Sequence, residues 1–102
     1  MLDVTAYLSR HGMAELDPLT ASKIPLSVLQ GCTEDAGIEY RKGDILIVHT
    51  GFTDAYSSKS LQEQQALVAR EGDARGWCGV EASDEVLRWH WENGFAAVAT
   101  DT

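Results

Sequence analysis

Apolar residues fall along this chain in two short runs and several helix-spaced stripes. Four consecutive aliphatic residues, Ile45 to Val48, are bracketed by Lys42-Gly43-Asp44 and Thr50-Gly51. A run this short with glycine at both borders predicts a strand covered on both faces. A second run, Phe95 to Ala99, follows Asn93-Gly94 and predicts another strand. Helical spacing occupies much of the remainder. Val4, Tyr7, Leu8 and His11 recur three or four apart and stop at Gly12, while Met1-Leu2 reads as the tail of a strand. Leu26, Leu29, Cys32 and Ala36 form a second stripe after Pro25, a residue well placed in a first helical turn. Gly31 within that helix costs about 1 kcal/mol relative to alanine, so a close neighbour is expected there. Leu61 to Arg70 carries a weak stripe and predicts a solvated helix. Ser83 is an N-cap ahead of Asp84 and Glu85, and Val86, Leu87, His90 and Trp91 are expected to share one helix face.

Between these elements, Asp17-Pro18 and Ser57 to Ser60 read as turns, and Glu71 to Gly79 as loop. The resulting order alternates strands with helices, the pattern of an α/β fold with mostly parallel strands joined by crossovers. Only two strands are secure, and so few cannot cover both faces of one another. The 102 residues are therefore read as one domain, an incomplete portion of a larger fold or one completed by a partner chain. Homo-oligomerisation is the expected form of that completion.

Charge narrows the partners. Sixteen acids against eight bases give a formal net charge of −8. Such a chain gains nothing from releasing phosphate counterions, and an anionic membrane surface repels it, so neither nucleic acid nor membrane is an expected partner. No apolar stretch approaches the ~18 residues of a membrane span. Met1-Leu2-Asp3 opens without a basic region leading into an apolar one, which argues against a secretory signal. Cys32 and Cys78 fit no C-x-x-C pattern, and Cys32 lies on an apolar stripe as a small buried hydrophobe. A reduced, cytoplasmic protein is the expectation.

Candidate chemistry sits where the strands end, because ligands of open α/β sheets bind beyond the carboxyl ends of the strands. His49, Thr50 and Gly51 follow the first aliphatic run, with Phe52 and Tyr56 as possible walls. Asp101 follows the second run, and parallel neighbours would carry His49 and Asp101 to the same edge. These two are the catalytic candidates; Thr50, Gly51, Phe52 and Tyr56 are the substrate-lining ones. His11 reads as a solvated helix terminus and His90 as a packed helix residue. Metal-ligand spacings such as H-E-x-x-H are absent, and no serine sits in a G-x-S-x-G elbow.

The succession Gly43-Asp44-Ile45-Leu46-Ile47-Val48-His49-Thr50-Gly51-Phe52-Thr53-Asp54-Ala55-Tyr56, then Gly79 to Glu85, then Trp91 to Asp101, resembles the cyclase family that includes bacterial kynurenine formamidases and is close to the isatin hydrolases. Leu2-Asp3-Val4 and Asp17-Pro18 fit as well. The resemblance implies a partial swivelling β/β/α fold and metal-dependent hydrolysis of an amide, lactam or formamide bond, as in tryptophan and kynurenine catabolism. It also implies a divalent ion, zinc or manganese, that activates a bound water and polarises a carbonyl, and a small-molecule substrate. The family's metal motif, His-x-Gly-Thr-His-x-Asp, has no counterpart here, so no ligand is carried onto a residue of this chain. The family often has arginine near the place held by His49. The competing expectation is a non-catalytic, small acidic α/β binding or oligomerisation module.

Overall fold

The computed structural model describes residues 1–102. Its centre is a three-stranded parallel sheet in which β3 (Ile45–His49) lies between β1 (Leu2–Asp3) and β5 (Ala97–Thr100). Leu2 is level with Val48 on one side, and Ile45 to Val48 run beside Ala97 to Thr100 on the other. All three strands therefore end at one edge. A second, two-stranded parallel ladder pairs β2 (Lys23–Ile24) with β4 (Gly79–Val80), at the end of a stretch that reads as loop.

Helix α1 (Val4–Arg10) follows β1 without a linker. The Asp3 carboxylate caps it by accepting from the Ala6 N–H at 2.9 Å. Helix α2 (Leu26–Asp35) starts after Pro25, and its Val28, Leu29 and Cys32 pack with Val4, Leu8, Leu46 and Val48 into the core. A Cβ added at Gly31 would overlap the Tyr7 hydroxyl, which accounts for the glycine in mid-helix. Three further helices lie between β3 and β5. These are α3 (Phe52–Ser57), α4 (Leu61–Val68), held by a full capping box between Ser60 and Glu63, and α5 (Asp84–Asn93), capped by Ser83. A single 3-10 turn occupies Gly72–Ala74.

Two expectations need correction. The central strand is covered on one face only: Leu46 and Val48 are buried against α1 and α2, while Ile45 and Ile47 remain 63% and 44% exposed. No second layer lies over them, so the strand alternates in burial although its sequence does not. On α5, the inward residues are Val86, Trp89 and His90, not the full set Val86, Leu87, His90 and Trp91. Trp89 meets Tyr40 and Phe95 edge-on, at 5.7 and 5.4 Å between ring centres. Leu87 and Trp91 point outward, Trp91 with 86% of its surface exposed. Tyr40 and Phe95, supplied by the segments that lead into β3 and β5, draw Trp89 inward and turn the helix away from the expected face.

Burial is thin overall. Thirteen of 102 residues are buried, and the radius of gyration is 14.7 Å, against about 13 Å for a compact domain of this length. No helix is long and apolar enough to cross a membrane. Cys32 and Cys78 are both free and buried, and burial pushes the Cys32 thiol up to about 11.

Candidate functional site at the carboxyl edge of the sheet

Three side chains converge where the parallel strands end. His49, last in β3, lies between Asp3 at the end of β1 and Asp101 just beyond β5. Its Nδ1 is 3.3 Å from Asp3 Oδ1, and its Nε2 is 3.9 Å from Asp101 Oδ2. A carboxylate can only accept, so the shorter contact has His49 donating to Asp3.

Asp101 does more than face the histidine. Its Oδ1 accepts from the Thr50 N–H at 2.7 Å and the Thr50 hydroxyl at 2.8 Å, and its Oδ2 accepts from the Phe52 N–H at 2.9 Å. One carboxylate thus ties the end of β5 to the turn leaving β3 and the start of α3. Thr50 is fully buried, and with its proton given to Asp101 its oxygen accepts from the Thr102 hydroxyl at 3.0 Å. Gly51 makes this turn possible by taking φ +77°, a left-handed conformation that disfavours side chains.

Electrostatics follow from those bonds. For Asp3, the Ala6 N–H is the main cause that holds the carboxyl below its ordinary value, aided by Thr5 and His49 against the opposing effect of burial. Burial pushes the Asp101 carboxyl up, but the Thr50 N–H and hydroxyl outweigh it and leave it lowered. Both acids are therefore ionised at neutral pH, on either side of one imidazole.

Beside this cluster the Phe52 ring stacks on Tyr56 and meets Trp77 edge-on at 5.3 Å. Arg70 lies 4.7 Å above Trp77 and donates to the Leu19 carbonyl at 2.8 Å. Of the sequence candidates, His49, Thr50, Gly51, Phe52 and Asp101 come together. Tyr56 joins them only through its stacking on Phe52 and also lines a groove of about 300 Å³ with Leu61 and Val68 on α4. His90 Nδ1 donates to the Val86 carbonyl at 2.7 Å, as a packed helix residue would, and His11 is bonded to Asp35 on the surface. Sequence reasoning missed Asp3. Its signal was present, since it stands between a strand and a helix as Thr50-Gly51 does.

The residues do not fit a resident divalent ion. No three His, Cys, Asp or Glu side chains are placed to hold one. Both Asp101 oxygens and Asp3 Oδ1 already accept from backbone N–H groups, of Thr50, Phe52 and Ala6. The expected zinc or manganese therefore finds no ligand set within this chain.

Parallel strands flanked by helices, with polar groups gathered at their carboxyl ends, define an α/β protein. The family described as putative cyclase matches residues 2–102, and the chain belongs to it. A solved structure described as that of a novel cyclase superimposes with a TM-score of 0.76 at 19% identity. The match covers 99% of this chain but only 29% of that one, and at this identity it establishes the fold alone. No curated protein gives a significant match.

Proposed function

We propose that this chain is a non-catalytic α/β binding and assembly module of the cyclase family, one that covers its open sheet against another polypeptide. The observation that carries this reading is the uncovered apolar face of the sheet, with Ile45 and Ile47 exposed beside Ala97 and Ala99. Leaving such a face in water forgoes about 25 cal/mol for each Å² that a partner would bury. The two free, buried cysteines fit a reducing compartment, the cytoplasm. Sedimentation combined with thermal melting tests the proposal. A monodisperse oligomer that melts cooperatively is expected; a well-folded, cooperatively melting monomer overturns the proposal.

A second reading makes the chain the scaffold portion of a metal-dependent hydrolase acting on an amide, lactam or formamide bond. In its favour is the 29% of a larger solved cyclase that the chain spans, together with the meeting of His49 and Asp101 at the strand ends. Thr50, Gly51 and Phe52 would then line one wall for a small-molecule substrate, and zinc or manganese would be held by residues outside this chain. The isolated chain is expected neither to retain metal nor to hydrolyse N-formylkynurenine. Stoichiometric zinc or manganese, stripped by a chelator together with activity, would favour the catalytic reading over the assembly one.

A further inference from the structure

The helix-covered side of the sheet holds a hollow of about 300 Å³ between α1, α2 and β2, and none of the residues at the carboxyl edge lines it. That volume stands at the low end of small-molecule sites, ~300–1,000 Å³. Val4, Leu8, Ile24 and Val28, all buried, give it an apolar floor. Its charged members are Glu15 and Lys23, one of each sign, and neither enters an ion pair. The segment that carries Glu15 adds a second feature. The N–H and C=O groups of Ala14, Glu15 and Leu16 make no hydrogen bond within the chain. Free donors and acceptors therefore stand beside two opposite charges and a greasy floor.

We propose that this hollow is a binding site for a free aliphatic α-amino acid such as leucine. Such a molecule carries an ammonium, a carboxylate and an apolar branch on one carbon. Glu15 accepts from the ammonium and Lys23 donates to the carboxylate, each in a charge-assisted bond, while the branch enters among Leu8, Ile24 and Val28. Other small ligands leave something unmatched. An aliphatic acid sets a second carboxylate beside Glu15, and an amine sets a second cation beside Lys23. A hydrocarbon leaves both charges and the backbone groups unused. A peptide holds its terminal charges apart by the length of its chain and cannot present both here. The zwitterion has no net charge, so the chain's −8 does not repel it. Ile45 and Ile47 lie on the other face of the sheet, so the inference goes beyond the assembly reading and is independent of what covers them.

Titration of the full chain with L-leucine, followed by NMR, tests the site. Saturable shifts are expected at the amides of Glu15, Leu16 and Lys23 and at the methyl groups of Val28. Isocaproate, which lacks the amine, and isoamylamine, which lacks the carboxylate, should each bind more weakly by on the order of tenfold, since each forfeits one charge-assisted bond. Glu15→Gln and Lys23→Gln change exposed residues and should leave the melting temperature in place while weakening leucine binding by a similar factor. Lys59→Gln, just before α4, should alter neither. Shifts that do not saturate, isocaproate binding as tightly as leucine, or undiminished binding to Glu15→Gln would each overturn the proposal, whatever the oligomeric state of the chain.

Discussion

Asp101 holds Thr50 across 51 residues of sequence, taking both its N–H and its hydroxyl on a single carboxylate oxygen. The bond joins the ends of two parallel strands and leaves the buried threonine fully satisfied. Asp101→Asn removes the charge and offers one acceptor oxygen where two were used, so a buried donor loses its partner. The expected loss is about 1–3 kcal/mol of stability, read by urea unfolding. Thr50→Val should show strong coupling to it in a double-mutant cycle, and strict additivity would mean that the pair is not a unit.

Acid should loosen the same edge. Asp3 and Asp101 both have carboxyls lowered by hydrogen bonds made only in the folded chain. The stability they contribute is fully present above the ordinary carboxylate value of ~3.9 and is lost as pH falls through their lowered folded values. A stability profile from pH 7 downward should stay flat with respect to these groups until that region and then decline. In the Asp3→Asn, Asp101→Asn double variant the decline should be shallower; an unchanged slope would place the acid sensitivity elsewhere. Asp3 is two-fifths exposed, so solvent screening makes its share the smaller one.

Gly51 is a point at which a single methyl group should cost stability. Its left-handed backbone disfavours any side chain, and an added Cβ would press on Thr5 Cγ2 at 3.0 Å. Gly51→Ala should destabilise by about 1–2 kcal/mol and shift the amide resonance of Phe52, which bonds Asp101 from the next position. An unshifted Phe52 amide in a destabilised variant would separate the strain from the carboxylate bond.

The two faces of β3 should respond in opposite ways. Leu46→Ala opens a cavity in the core and is expected to cost about 2–5 kcal/mol. Ile47→Thr, one residue later but on the open face, should leave the stability of the dilute monomer within about 0.5 kcal/mol and weaken the assembly that covers this face. A large loss at Ile47 in the dilute monomer would mean that the chain itself covers the face.

Much of this architecture was legible in the sequence, and the failures have physical causes. Ile45–Val48 and Phe95–Ala99 announced strands, and glycine borders placed their ends within a residue or two. His49 and Asp101 were drawn together by parallelism alone, since both follow an aliphatic run. The covering of β3 was not readable, because an unbroken aliphatic run says that both faces avoid water without saying whether the same chain supplies the cover. The α5 face was misjudged because Trp89 is held by Tyr40 and Phe95, partners outside the helix that its own periodicity cannot reveal. The β2–β4 ladder escaped because two-residue strands leave no period to detect. The carboxylate bonds to Thr50 and Phe52 depend on the turn at Gly51, which becomes visible only once φ is known.

Every strand pairing in this molecule joins residues far apart in the sequence: Leu2 to Val48, Lys23 to Gly79, Ile45 to Ala97. No hairpin offers a local start, so long loops must close before any ladder bond forms. Refolding from denaturant should therefore be slow for a chain this short. During that interval the aliphatic runs wander unshielded, and dilution at the moment of refolding, more than temperature, should govern how much native protein is recovered.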